Sequence, residues 1–359
     1  MEIVLTNPLI RILIAMAVSF LLCLLFIPPV VQVAKLKSIV KLTNERASHS
    51  GAIPILGGVA ILASFLITSL ISIKMYLFPD LQYTIVGLIV ISMVGIRDDI
   101  LEMKAWIKLL GQILGSLLAT DMGWIRLTSL HGFLGIYEIH HQVAVLLSIF
   151  VFIVIINSFN LIDGIDGLAS GIGILVSATF GIWFYMAGAY EMAIISFSLI
   201  GALIAYFYFN VFGRKRKIFM GDTGSLVIGY IVAVMAVWFN ELNLNPATPY
   251  LVHAAPAVSM GILALPLYDT LRVFTLRILK RKSPFDPDRS HIHHKLHDLG
   301  LSHLQTTLIL LTTNLFFIIL AFVLQLYIQS IPLLILIFLL LCIFLSTVPF
   351  YFLKPREVK

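Results

Sequence analysis

Long apolar runs alternate with short polar segments along the whole sequence. Eleven such runs are about as long as a membrane-spanning helix or slightly shorter. The shorter runs are typical of tilted or broken helices. The sequence therefore predicts an all-α, polytopic integral membrane protein with about eleven transmembrane helices. The runs cover residues 9–29, 54–73, 81–96, 106–120, 142–159, 170–187, 191–210, 224–239, 250–271, 306–328 and 331–353.

Composition excludes a soluble fold, because 60% of the 359 residues are hydrophobic and only 12% are charged. The mean hydropathy is +1.03. Cys23 and Cys342 each lie inside an apolar run, so we expect core residues and no disulfide or metal pair. We expect one transmembrane domain over residues 1–359. The first run has no basic leader and is expected to remain as the first span.

Basic residues predict the orientation, because they favour cytoplasmic loops. With the N-terminus outside, all of the 24 basic residues except Arg11, Lys74 and Arg126 lie on one face. We therefore expect a cytoplasmic C-terminus. Aspartates gather on the same face, although acidic residues contribute little to topology. This clustering suits a divalent cation such as Mg2+ together with phosphates. The aspartates are Asp98, Asp99, Asp163, Asp166, Asp222, Asp269, Asp286 and Asp288.

The most polar stretch within an apolar region is NSFNLIDGIDGLASG, residues 157–171. Asp163 and Asp166 lie three apart, so a helix would place both carboxylates on one face. Ionisable groups beside a membrane span indicate a functional site. Asn157 and Asn160 add amide ligands to the same stretch.

A second acidic pair, Asp98 and Asp99, ends the third run. Two adjacent carboxylates repel each other, which favours a nearby metal or cation, although capping of a helix would also explain them. Helical spacing places Lys108 and Gln112 on one face of the fourth run. Asp222 lies in FMGDTGS, where it is either an ordinary N-cap or a metal ligand.

The last polar loop, KRKSPFDPDRSHIHHKLHDLG, is rich in histidine and basic residues. Zinc is one interpretation, but thiols are absent and the loop is strongly basic. A cationic loop that binds a diphosphate fits better. The first polar loop, with Arg46 and His49, is either an ordinary basic loop or one that closes over an anion. In the outer loop we expect His131, His140 and His141 to be surface residues.

In order, these motifs resemble those of the polyprenyl-phosphate N-acetylhexosamine-1-phosphate transferases. The resemblance covers nearly the whole chain and rests on Asp98-Asp99 with Lys108, NSFNLIDGIDG, FMGDTGS and PDRSHIHH. Members transfer a sugar 1-phosphate from a UDP-sugar to undecaprenyl phosphate in the bacterial inner membrane and require Mg2+. The resemblance thus implies these partners, with Mn2+ as a substitute, no nucleic acid and an active site facing the cytoplasm. It leaves a homodimer possible.

The resemblance also implies roles for individual residues. Asp222 is the expected metal ligand, with Asp99 and Asp163 as further candidates. The expected catalytic residues are Asp98, Asp99, Asp163 and Asp166. The expected substrate-binding residues are Lys108, Asn157, Asn160, Phe219, Arg289, His291, His293 and His294. Phe219 is expected to stack on the uracil, and Lys108 to contact phosphate.

The form PDRSHIHH resembles the branch that uses UDP-N-acetylglucosamine to begin O-antigen, enterobacterial common antigen or teichoic acid synthesis. In the pentapeptide branch three histidines are adjacent, whereas Ile292 separates them here. Another UDP-linked N-acetylhexosamine, or UDP-N-acetylmuramoyl-pentapeptide, is the alternative donor. The acceptor phosphate could attack directly, or an aspartate could first form a covalent intermediate. A secondary transporter and a non-enzymatic scaffold are the alternatives of other classes.

Overall fold

The protein is almost entirely helical in its computed structural model, which describes residues 7–42, 52–73, 80–281 and 291–352. Within these ranges there are 13 α-helices. They are α1 (Pro8–Leu36), α2 (Gly57–Ser72), α3 (Leu81–Ile100), α4 (Ala105–Leu117), α5 (His141–Ile162), α6 (Leu168–Met186), α7 (Tyr190–Phe207), α8 (Gly221–Leu242), α9 (Ala255–Ile262), α10 (Ala264–Leu279), α11 (Ile292–Asp298), α12 (His303–Leu324) and α13 (Ile331–Phe352). Short π turns follow α4 and α7, at Leu118–Met122 and Tyr208–Phe212, and a 3-10 turn occupies Phe133–Gly135.

Every predicted apolar run coincides with helix, which confirms the class of an all-α, multi-pass membrane protein. In the described part of the chain, six helices are long and apolar enough to cross a membrane by themselves: α1, α5, α6, α7 with its π turn, α8 and α12. The count of eleven spans stays a prediction. Cys23 and Cys342 are buried and unpaired, as expected of core residues.

The ninth run is broken into α9 and α10 at Leu263. Pro266 lacks a backbone N–H, so the Ile262 carbonyl loses its helical donor. Asn314 of α12 replaces it, donating from Nδ2 to Ile262 O at 3.0 Å. Its Oδ1 accepts from Leu265 N at 3.1 Å. One buried amide therefore satisfies both sides of the break, which an apolar environment requires.

Helix α8 forms the centre of the bundle and packs against α3, α5, α2 and α6. Its N-terminus approaches two neighbours at glycines. A side chain at Gly95 of α3 would overlap Thr223 Cα, and one at Gly58 of α2 would overlap the backbone of Gly224. Such close approach of backbones fixes the start of α8 against α2 and α3.

A small antiparallel hairpin precedes α2. Strand β1 (Val40–Leu42) pairs with β2 (Ala52–Pro54), with Val40 opposite Pro54. The Pro54 carbonyl accepts from Phe219 N at 2.8 Å, and Phe219 O accepts from Gly57 N at 3.0 Å. The hairpin thus connects to the segment that leads into α8. Arg46 and His49, between the strands, lie outside the described residues.

At the opposite end of the bundle, His140 and His141 are exposed as predicted. His141 Nε2 lies 3.1 Å from Asp121 Oδ1. His131 differs from the prediction, because it is half-buried and its Nε2 has no hydrogen-bond partner. The backbone at His131 has a positive φ of 53°.

Candidate active site

The candidate site lies at the N-terminus of α8, where Asp99 caps the helix from α3. Asp99 Oδ1 accepts from Asp222 N at 2.7 Å, and Oδ2 accepts from Thr223 N at 3.1 Å and from Thr223 Oγ1 at 2.5 Å. The first amides of a helix lack intrahelical partners, and a carboxylate is well suited to them. Both oxygens of Asp99 are therefore engaged in holding the segment that carries Asp222.

Lys108 of α4 bridges the other two carboxylates of this end. Its Nζ lies 2.5 Å from Asp98 Oδ2 and 2.9 Å from Asp222 Oδ2. Asp98 Oδ1 also accepts from Met103 N at 2.7 Å, which closes the turn between α3 and α4. The ammonium group stands between two like charges and offsets their repulsion. It is therefore the cation that a ligand phosphate would meet beside the carboxylates.

Residues 157–171 are called the central stretch below. Its two asparagines approach the same cluster from α5. Asn160 Nδ2 donates to Asp222 Oδ1 at 2.6 Å and to Ser225 Oγ at 2.9 Å. Asn157 Nδ2 donates to Gln112 Oε1 at 2.8 Å, and Gln112 is buried on α4 beside Lys108. The predicted set of Asp98, Asp99, Lys108, Asn157, Asn160 and Asp222 is thus brought together from four helices.

Asp163 follows α5 directly and is half-buried. No hydrogen bond or ion pair joins it to any other residue in the described ranges. Burial first, and then the negative charge of Asp222, raise the pKa of Asp163 to about 7. The charge of Lys41 opposes this rise without cancelling it, so a further cation beside Asp163 would favour its ionised form.

The carboxylate oxygens of Asp163 and Asp222 are ligands of the kind that a divalent cation prefers. Among the residues the structure describes, no group of three or more His, Cys, Asp or Glu side chains is placed to hold a metal ion. Mg2+ nevertheless needs only one or two carboxylates, because water and substrate phosphates complete its octahedral shell. Asp222 and Asp163 could supply those carboxylates.

The raised pKa of Asp163 makes the stability of the metal-free protein depend on pH. The folded state binds the proton of Asp163 more tightly than the unfolded chain does. The contribution of Asp163 to the free energy of unfolding is therefore fully present below about pH 4 and is lost as the pH rises through about 7. In chelator and detergent we expect the melting temperature to fall by about 2–5 °C between pH 5.5 and 8. Asp163→Asn should flatten that part of the profile. An unchanged profile in the variant would contradict the assignment.

Asp166, the other aspartate of the stretch, is fully engaged elsewhere. Its Oδ2 lies 2.6 Å from Lys217 Nζ and 3.3 Å from His303 Nδ1. Its carbonyl accepts from Thr307 Oγ1 at 2.9 Å. Burial opposes ionisation, but the bonds from His303 and Lys217 outweigh it and lower the pKa of Asp166. The contacts of Asp166 join the loop to α12 and to the basic segment before α8.

Asn210 is a positioning residue that the sequence analysis did not single out. Its Oδ1 accepts from Gly167 N at 2.7 Å, and its Nδ2 donates to Ile218 O at 2.9 Å. It therefore ties the loop after α5 to the segment that carries Phe219. The sequence did contain a signal for this role, because Asn210 is a polar residue at the very end of the seventh apolar run. Phe219 itself is half-buried, with Lys217 Nζ 5.8 Å from its ring centroid.

Residues 291–298, called the histidine segment below, include α11 and lie against the central stretch. His293 is 2% exposed, and a side chain at Gly164 would overlap its ring. Burial and the adjacent His294 lower the pKa of His293 to about 3, so the ring is neutral. His291 is buried and contacts Asp269 of α10. His294 is half-buried beside them, and Arg289 lies outside the described residues.

A large groove opens beside the cluster of Lys108 and Asn160. It has a volume of about 1030 Å³ and is lined mostly by apolar side chains of α4, α5, α8, α9 and α10. Lys108, Gln112, Asn157 and Asn160 form its polar end. The charged cluster therefore lies next to an apolar groove, and this combination suits an amphiphilic ligand.

Comparison with known proteins identifies a family and several relatives for this chain. The family model described as Glycosyl transferase family 4 matches residues 81–240, which include both acidic pairs and Asp222. The undecaprenyl-phosphate alpha-N-acetylglucosaminyl 1-phosphate transferase of Escherichia coli K12 is 31% identical over 289 residues, which is 80% of this chain and 76% of that protein. The Yersinia pestis protein of the same name is 31% identical over 265 residues, covering 73% of this chain and 70% of its own.

A more distant bacterial protein extends the match further along the chain. The probable undecaprenyl-phosphate N-acetylglucosaminyl 1-phosphate transferase of Bacillus subtilis is 29% identical over 317 residues, which is 88% of this chain and 86% of that protein. Identity above 30% over three quarters of a relative, together with the family model, confirms the resemblance that the motifs carried. The chain belongs to glycosyl transferase family 4.

Proposed function

We propose that this protein transfers N-acetylglucosamine 1-phosphate from UDP-N-acetylglucosamine to undecaprenyl phosphate, releasing UMP. One observation carries the proposal: the aspartate and lysine cluster lies at the polar end of an apolar groove. The names of the bacterial relatives support the substrate pair. The product is a diphosphate-linked lipid that would start an envelope polysaccharide.

The groove is proposed to hold part of the prenyl chain, so that the acceptor phosphate reaches Lys108. An oxygen of that phosphate attacks the β-phosphorus of the UDP-sugar, and the bond from this phosphorus to the bridging oxygen of UMP breaks. Charge spreads over the phosphoryl oxygens, so positioning and electrostatic stabilisation supply most of the acceleration. Asp222 and Asp163 would hold a Mg2+ ion, which would supply positive charge to stabilise the departing UMP.

The two adjacent aspartates are proposed to act differently. Asp99 has donors on both oxygens and holds the start of α8. Asp98 accepts from Met103 N and Lys108 Nζ, so it lies beside the cation that would meet the phosphate. It is the candidate to accept the last proton of the lipid phosphate, whose second pKa resembles the value of about 6 for a phosphomonoester. Direct attack is preferred to a covalent aspartyl intermediate, because the lipid phosphate is already a competent nucleophile.

The acceptor groove gives a prediction with a matched control on one helix. Val154 of α5 lines the groove, whereas Val143 of the same helix is 55% exposed and does not line it. Val154→Trp should fill the groove and raise the KM for undecaprenyl phosphate about tenfold or more, which corresponds to about 1.4 kcal/mol. The KM for UDP-N-acetylglucosamine should hardly change. Val143→Trp should leave both constants near wild type, and equal effects of the two variants would contradict this placement.

We also propose that the site faces the cytoplasm, as the distribution of basic residues indicates. Labelling in intact cells with an impermeant thiol reagent would test this orientation. A cysteine at the exposed Leu134 should react, and one at the exposed Leu101, near Asp98, should not. The reverse pattern would overturn the orientation.

A transfer assay with purified protein, undecaprenyl phosphate and Mg2+ tests the function. We expect UMP release with UDP-N-acetylglucosamine and none with UDP-N-acetylmuramoyl-pentapeptide. Turnover of UDP-N-acetylmuramoyl-pentapeptide alone would support the proposed transfer reaction but contradict the proposed donor sugar. Turnover of neither, nor of another UDP-linked N-acetylhexosamine, would reject the proposal and favour a transporter or a scaffold.

A further inference from the structure

Asp269, on α10, is a buried carboxylate outside the aspartate cluster, and it is 2% exposed. Its Oδ2 lies 2.8 Å from His291 Nδ1, and its Oδ1 accepts from Ile292 N at 3.0 Å. The two carboxylate oxygens of Asp269 therefore bond to His291 and Ile292, the first two residues of the histidine segment. The proposed reaction assigns Asp269 no part, and buried carboxylates are costly unless their bonds are complete.

Capping of a short helix explains only half of this arrangement. One oxygen suffices for the Ile292 amide, whereas the other is directed at a side chain. Its bond occupies Nδ1 of His291, so Nε2 is the ring nitrogen left for a ligand. In the neutral ring, a proton held on Nδ1 makes Nε2 an acceptor. The carboxylate thus selects one tautomer out of two.

Neighbouring rings fix the plane of His291 as well. The rings of His291 and His293 are stacked, with centroids 5.4 Å apart and an interplanar angle of 15°. His293 in turn packs on Gly164, the residue after Asp163. The orientation of His291 is therefore set by α10 on one side and by the central stretch on the other.

Helix α10 carries a second feature that bears on the acceptor. Thr270, the residue after Asp269, lines the apolar groove. One turn of α10 thus contributes both to the groove wall and to the fixing of His291. An acceptor in the groove and a donor beside His291 would contact the same rigid helix.

We infer that Asp269 is a positioning residue, which holds His291 so that Nε2 accepts a hydrogen bond from a hydroxyl or acetamido N–H of the donor sugar. The inference rests on the proposed function for the identity of the donor. The hydrogen bonds and ring geometry that carry it do not depend on that identity. Asparagine at position 269 cannot accept from both donors, because its amide group would face one of them with N–H.

Kinetics of a double-mutant cycle test the coupling. We expect Asp269→Asn to lower kcat/KM for UDP-N-acetylglucosamine by about 10- to 100-fold, as loss of an orienting partner commonly does. The KM for undecaprenyl phosphate should stay within about twofold. In a His291→Ala background the same change should cost less than about twofold, because its target is gone. An equal loss in both backgrounds would overturn the inference.

A second measurement does not depend on turnover. In 15N spectra of the histidine-labelled protein, with His291 assigned through His291→Ala, we expect protonated Nδ1 in wild type. Asp269→Asn should move that proton to Nε2. A wild-type His291 protonated on Nε2, either alone or together with Nδ1, would overturn the inference, even if the variant failed to fold. Protonated Nδ1 in a protein without transferase activity would support the placement and reject the proposed function.

Discussion

Asp222→Ala is expected to abolish transfer, with a loss of about a thousandfold or more in kcat. The substitution removes the carboxylate on which Lys108 and Asn160 converge. It also removes a carboxylate that is proposed to hold the divalent cation. The rate should be measured as UMP release at saturating donor and acceptor, over a range of Mg2+ concentrations.

The control for Asp222 is an aspartate of the same chain that lies far from the site. Asp121 is 43% exposed in its side chain and contacts only His141 among the described residues. Asp121→Ala should keep at least about half of the wild-type rate, because exposed ion pairs contribute little. Folding of both variants is checked by size-exclusion elution and melting temperature. Retained activity in Asp222→Ala would remove this residue from the mechanism.

Asp99→Asn is expected to reduce transfer by about a hundredfold or more and, unlike Asp222→Ala, to lower stability as well. All three donors to Asp99 come from the start of α8. An asparagine amide would point N–H at one of them, at a cost of about 1–3 kcal/mol for an unpaired buried group. We expect the protein to remain folded and Asp222 to lose its fixed position.

Thr223→Val separates the capping role of Asp99 from a direct catalytic one. It removes only the hydroxyl bond to Asp99 and keeps both backbone amide bonds. We expect a fall in melting temperature of about 2–4 °C, with activity within about tenfold of wild type. If Thr223→Val lowered the melting temperature as expected but Asp99→Asn lost activity with no change in melting temperature, Asp99 would act on the substrate and not through α8.

Apolar runs were enough to predict nearly every helix, because membrane spans have a strong length and composition signal. The break at Leu263 was not predicted, since it depends on Asn314, which lies 49 residues beyond its partner Leu265. The gathering of aspartates on one face predicted that several of them would lie together, as Asp98, Asp99 and Asp222 do. It could not predict which partner each carboxylate takes, because those partners come from other helices.

Adjacent aspartates illustrate this limit. Asp98 and Asp99 look equivalent in sequence, yet Asp98 contacts Lys108 and Asp99 caps α8. Similarly, Asp163 lacks a partner among the described residues, whereas Asp166 pairs with Lys217 and His303. Their three-residue spacing suggested one helical face. The chain instead leaves the helix at Asp163, whose ψ of 49° is not helical, so the two carboxylates do not share a helical face.

The glycine contacts of α8 bear on how such a protein could acquire a new donor sugar. At Gly58 and Gly95 even a methyl group would collide with the backbone of the neighbouring helix. A substitution at either glycine therefore forces α8 away from a neighbouring helix and displaces Asp222 with it. On the proposed function, a change of donor sugar would arise at positions where a side chain can be exchanged without moving α8. The same close packing would then keep the phosphate chemistry constant while the sugar varies.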